Sequence, residues 1–200
     1  MSPRPRLAAI ILAGGRSTRF GRDKALEPIE GVPLVSRTVH IASQVASSII
    51  VVGAKDQDLP ALPDGVVVVR DDQEFAGPLV GLAKGAAELS RDVDAALVLA
   101  VDLPRLRRAT LDAVIAACPG GGSAVPMLAG RPQPLLALYS RAALDELPAL
   151  IAEGVRSMKA FVARVPHAQI DEAALLCHAA LAAEDPTLDS FRDADTTRDL

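Results

Sequence analysis

Leu7-Ala8-Ala9-Ile10-Ile11-Leu12 runs without a polar residue and breaks at once into Ala13-Gly14-Gly15. Six consecutive apolar residues leave no solvent face, the pattern of a strand covered on both sides. Working outward, the pattern recurs over residues 48–52, 66–69 and 95–101, each rich in β-branched or small aliphatic side chains. Helical spacing fills the gaps, over 33–46, 79–89 and 107–117. Strands alternating with helices predict βαβ units in a parallel sheet, hence the doubly wound α/β class. After Pro119 the regularity weakens. Gly120-Gly121-Gly122 reads as a turn, and 123–128 and 134–139 as strands around Gly130-Arg131-Pro132. Helices are expected over 141–151, 157–164 and 171–183.

The chain has 200 residues, half of them apolar and 23% charged, so it can bury a large core and is read as one domain over 1–200. It has no Trp, one Tyr and four Phe, which argues against an aromatic platform for single-stranded nucleic acid. Its net charge of −4 lacks the electrostatic footprint of a duplex binder. Cys118 and Cys177 are too few and too far apart for a disulfide framework or a zinc site. The longest apolar run is far short of the roughly 20 residues that span a bilayer. No cleavage-like site follows the short basic start, so a soluble cytoplasmic chain without a membrane partner is expected.

In open α/β sheets, ligands bind beyond the carboxyl ends of the strands. Three polar clusters fall at such ends. The first, Ala13 to Lys24, opens with paired glycines, which let backbone approach a ligand closely and can form an anion-binding concavity of amides. Arg16, Arg19, Arg22 and Lys24 stand against Asp23 alone, a local charge of +3 in an acidic chain. That concentration favours a polyanion such as a triphosphate over a plain turn with solvated arginines. The loop is neither a Walker loop nor a dinucleotide fingerprint. The second cluster, Asp71-Asp72, closes the third strand and precedes Gly77-Pro78-Leu79-Val80-Gly81. The third is Asp102-Leu103-Pro104, which places a carboxylate where Mg²⁺ could be held over substrate phosphates. His40, His167 and His178 have no mutual spacing that makes a ligand set or a catalytic triad.

Leu12 to Lys24 reads L-A-G-G-x-S-x-R-F-G-x-D-K. It resembles the signature loop of nucleotidyltransferases that attach a nucleoside monophosphate to a phosphorylated acceptor. Within that superfamily it is most similar to the molybdenum cofactor guanylyltransferases. The resemblance implies a three-layer α/β/α, mostly parallel, Rossmann-like sheet of the nucleotide-diphospho-sugar transferase type. It implies transfer of GMP from GTP to molybdopterin with release of pyrophosphate. Leu12, Ala13, Gly14, Gly15, Lys24, Asp71 and Asp102 are then the expected nucleotide-binding residues. Lys24, Arg19 and Asp102 are the expected catalytic ones, with Asp102 holding Mg²⁺. Asp71 is preferred to Asp72 because it lies closer to the strand. Acceptor molybdoenzymes or their chaperones are the further partners implied.

Gly130-Arg131-Pro132-Gln133-Pro134-Leu135 is similar to a G-R-x-x-P-L segment that faces the acceptor. The tail from Phe191 to Leu200 is similar to the family's ending on the cofactor side, but Asp193 and Asp195 replace asparagines and Thr197 a proline. Gly53-Ala54 also lacks an asparagine often found near that strand end. Two rival expectations are a CTP-dependent or sugar-phosphate relative, and a non-catalytic nucleotide-binding module.

Overall fold

The computed structural model describes residues 5–14, 23–71, 77–118 and 120–194. Its sheet begins with β1 (Leu7–Leu12), which is flanked on one side by β4 (Ser48–Ala54) and on the other by β6 (Ala95–Ala100), both parallel to it. β5 (Val66–Asp71) extends the sheet beyond β4, again parallel. Beyond β6 come β9 (Leu136–Ser140), β7 (Ala124–Leu128) and β10 (Ala168–Ile170) in that order. β9 runs antiparallel to its neighbours β6 and β7. Two short strands, β2 (Pro28–Ile29) and β3 (Val32–Pro33), form a separate hairpin, and β8 (Arg131–Pro132) pairs with β7.

Two cores explain the unbroken apolar runs of β1, β4 and β6, whereas β5, the last strand of the sheet, leaves Val67 and Val68 exposed against the expectation for residues 66–69. Along β1, Leu7, Ala9 and Ile11 enter one cluster and Ala8, Ile10 and Leu12 the other, because successive side chains leave a strand on opposite faces. The first face is covered by α1 (Leu34–Ala42), α3 (Arg108–Ala116), α7 (Glu172–Leu176) and α8 (Ala179–Glu184). The second is covered by α2 (Pro78–Ala87), α4 (Arg141–Asp145), α5 (Leu147–Ala152) and α6 (Met158–Val162). This is the doubly wound three-layer class expected. α2 lies close on the sheet because position 85 carries no Cβ. A Cβ there would stand 2.6 Å from Ile10 Cγ2 and 2.9 Å from Val52 Cγ2.

Four further expectations are corrected. Residues 141–151 form two helices, because Pro148 lacks the amide that would continue the first. Residues 171–183 also split, at His178, whose extended backbone (ψ 109°) re-aims the chain so that Leu175 and Leu181 are both buried. β10 and the β2–β3 hairpin were not anticipated, being two or three residues long with no periodicity to read. β4 and β5 run two residues further than the apolar pattern suggests, to Ala54 and Asp71, through register pairs that end at Ala54 opposite Asp71.

Chain order sets the position of the site. α1 carries the chain from β1 to β4 over one face, and α2 carries it from β5 back to β6 over the other. The connections therefore part at β1. Such a switch point opens a crevice at the carboxyl edge of the strands.

Candidate active site

At that edge the chain leaves β1 through Ala13 and Gly14. Both amides are donated to the same acceptor, Val52 O of β4, at 2.9 and 3.0 Å. The chain thus stays pinned to the neighbouring strand beyond the end of β1. The Gly14 amide is engaged by the neighbouring strand. A glycine is required at this position because a Cβ there would lie 2.9 Å from Ala54 N. Leu12 and Ala13 are buried, and the Leu12 carbonyl accepts from Val101 N at 3.2 Å, tying the end of β6 to that of β1. Gly15, Arg16, Arg19 and Arg22 of the loop, Asp72, the alternative to Asp71, and residues 195–200 of the tail lie outside the described residues.

The loop returns at Asp23, which caps a 3-10 turn over Lys24–Leu26 by accepting from Ala25 N at 3.0 Å. That turn carries Lys24 across to the end of β6, where Nζ stands 3.4 Å from Asp102 Oδ2. Two residues 78 positions apart are thereby brought together at a mostly buried spot, their side chains 18% and 29% exposed. Burial pushes the Asp102 carboxyl above the usual carboxylate range, with Lys24 opposing the shift and the negative charge of Asp193 adding to it.

The tail that carries Asp193 is fastened beside this pair. Ala194 N donates to Asp102 O at 2.9 Å, and Ser190 Oγ donates to Arg105 O at 2.9 Å. The turn before it is closed by the buried Asp185, which accepts from Asp189 N and Ser190 N at 2.8 and 2.9 Å. The G-R-x-x-P-L segment reaches the same edge, since Leu135 O accepts from Ala100 N at 2.8 Å. Its hairpin turns on Ala129 and Gly130, both at positive φ (48° and 71°), the backbone of a tight two-residue turn.

Asp71 closes β5 and pairs with Lys84 of α2, Oδ1 to Nζ at 3.2 Å. Sequence reasoning missed Lys84, although it lies on the helix opened by Gly77-Pro78. It also missed Gln57, in the loop after β4. The Gln57 amide donates to Ala13 O at 3.0 Å and to Asp23 Oδ2 at 2.7 Å, and accepts from Ala54 N at 2.9 Å. Only its place at a strand's carboxyl end could have marked it. The histidines stay apart: His40 is in the last turn of α1, His167 Nδ1 is bonded to Val165 O, and His178 precedes α8.

The donor chemistry at Asp102 fits a divalent cation. One carboxylate, largely withdrawn from water and paired with Lys24, suits a hard divalent cation that takes few protein ligands and fills its shell with phosphate oxygens and water. Among the described residues no group of three or more His, Cys, Asp or Glu gathers into an all-protein metal cage. No helix among them is long and apolar enough to cross a membrane.

A doubly wound sheet with a lysine–aspartate pair at the switch point is an arrangement that suits a nucleotidyltransferase, the class to which the family match assigns the chain. Residues 9–171 match the MobA-like NTP transferase domain, and the chain belongs to that family. A Mycobacterium tuberculosis H37Rv protein named "probable molybdenum cofactor guanylyltransferase" is 37% identical over 160 residues, 78% of this chain and 79% of its own. A Nostoc protein of the same name is 35% identical over 160 residues, 76% and 75% of the two chains. Molybdopterin-guanine dinucleotide biosynthesis protein A from Archaeoglobus fulgidus superposes with a TM-score of 0.72 at 20% identity, over 96% of this chain and 94% of its own. Rv0371c from Mycobacterium tuberculosis, solved with manganese, superposes with a TM-score of 0.60 at 22% identity, over 84% and 89%.

Proposed function

We propose that this enzyme transfers GMP from GTP to the phosphate of molybdopterin and releases pyrophosphate. The observation that carries this reading is the Lys24–Asp102 pair at the carboxyl edge of β1 and β6, where the basic loop and the carboxylate meet. The names of the 37% and 35% identical relatives support guanine as the base and molybdopterin as the acceptor.

Nucleotidyl transfer needs little covalent chemistry from protein, so positioning and charge compensation carry the rate. Lys24, with Arg19 from the loop, offsets the negative charge that grows on the attacked α-phosphate. Asp102 is the residue that would hold Mg²⁺, which when bound neutralises triphosphate charge and favours the departing pyrophosphate. Leu12, Ala13 and the main chain at Gly14 form the floor of the nucleotide site, with phosphate contacts supplied by the loop from Gly15 onward. Asp71, paired with Lys84 at 3.2 Å, would contact the nucleotide. The acceptor phosphate is already an anion and needs no general base, consistent with histidines placed elsewhere. Downstream molybdoenzymes or their chaperones would receive the product, and cytoplasmic work follows from that role.

The test is a nucleotide panel. Purified protein with molybdopterin and Mg²⁺ should release pyrophosphate fastest from GTP. Faster turnover with CTP would assign the chain to a cytidylyl transfer instead, and nucleotide binding without turnover on any acceptor would make it a binding module.

A further inference from the structure

The glycine-rich loop leaves the sheet at Ala13 and returns at Asp23, and a single side chain touches both ends. Gln57 Nε2 uses one hydrogen on Ala13 O (3.0 Å) and the other on Asp23 Oδ2 (2.7 Å). Its Oε1 accepts from Ala54 N (2.9 Å), and its own carbonyl accepts from Arg70 Nη1 (2.6 Å). Three side-chain bonds fix the carboxamide, and two main-chain bonds, the second from its own amide to Ala54 O at 3.2 Å, hold its backbone.

The contacts continue to the reacting edge. Asp23 takes Gln57 on one oxygen and caps Ala25 N with the other, so its carboxylate orients the turn that aims Lys24 at Asp102. Ala54, held by the same amide, is the residue against which Gly14 packs. We propose that Gln57 is a positioning residue that clasps the two ends of the loop and so sets Lys24 against Asp102. The inference rests on the nucleotidyl-transfer reading for its kinetic consequence, while the clasp itself is structural.

Residue type supports the assignment. Only a carboxamide offers two donors toward Ala13 O and Asp23 and an acceptor toward Ala54 N at once. Glutamate would keep the shape and the Ala54 bond but set one carboxylate against another. An aliphatic residue would strand the partners unpaired.

The experiment compares the parent chain with Q57E, D23N and the double variant D23N/Q57E. Hydrogen exchange of peptides spanning 12–26 and steady-state pyrophosphate release are both measured. Q57E should speed exchange in that segment and lower kcat by about tenfold, as expected when a charged group is displaced, with the KM for acceptor within about twofold. The double variant should recover part of both losses, because a carboxamide at position 23 can donate to a carboxylate at position 57 while still capping Ala25 N. Unchanged exchange in Q57E overturns the clasp, as does faster exchange over the whole chain instead of this segment. Loosened exchange with parental kcat, or no recovery in the double variant, also overturns it. If the parent releases no pyrophosphate from any nucleotide, the functional reading fails and exchange alone decides the clasp.

Discussion

Substituting Gly14 by alanine adds one methyl group where the chain leaves β1 against the backbone of β4. That Cβ would lie 2.9 Å from Ala54 N and 3.2 Å from Gly53 C. Both atoms belong to β4, which is paired on each side, to β1 and to β5, and cannot turn away as a side chain could. The chain at Gly14 must therefore lift, stretching the bonds at 2.9 and 3.0 Å to Val52 O. Overpacking of this kind costs about 1–3 kcal/mol. In a chain of this size each kcal/mol lowers Tm by about 2–4 °C. The activity loss should be larger. Lifting the loop by about 1 Å displaces groups that align the triphosphate, worth about 10²-fold in kcat/KM. Thermal melting and pyrophosphate release with GTP measure the two effects. Gly85→Ala serves as the comparison, since its Cβ would meet the side chains of Ile10 and Val52 instead of strand backbone. It should lower Tm with a smaller loss of kcat/KM than Gly14→Ala. A Gly14→Ala protein with parental Tm and parental turnover would refute the close-approach reasoning; a loss of Tm alone would refute its link to catalysis.

Lys24→Ala should lower kcat/KM by about 10²-fold, the usual loss when one charge-compensating group is removed; pyrophosphate release within twofold of the parent would remove Lys24 from the reaction. Asp102→Asn should abolish divalent-dependent GTP binding in calorimetry without lowering Tm. Burial holds the Asp102 carboxyl above its ordinary range, so its contribution to stability is fully present below the ordinary value and lost as pH rises through the folded one. At neutral pH asparagine therefore removes an unfavourable charge, and a Tm drop of several degrees would contradict this. Asp185→Ala strands two amides in a buried turn, for about 1–3 kcal/mol, and should melt about 2–12 °C lower with faster exchange at Ala194; unchanged melting would show that the turn closes without its cap.

Leu7 to Leu12 makes clear which features were legible before any coordinates. An apolar run without a polar face demands cover on both sides, and its repetition between helical patterns leaves a doubly wound parallel sheet as the economical solution. The ligand edge follows from that class, and with it the places of Gly14, Asp71 and Asp102, each at or next to a strand end. Local rules also carried the turn at Gly130 and the glycine entry to the loop. They did not reach the split of residues 141–151, where one proline outweighed the helical pattern, nor a three-residue strand such as β10, which exists only because β7 offers it an edge. The meeting of Lys24 with Asp102, the commitment of the Gly14 amide to Val52, and the grip of Gln57 on both ends of the loop are long-range hydrogen bonds. Hydrophobic periodicity contains no information about them, because it specifies which face is buried and not which polar atoms meet across strands. Those partners were decided by the parallel packing of β1 between β4 and β6, which brings the ends of distant segments to one edge and leaves their polar groups only each other, or a ligand, to bond.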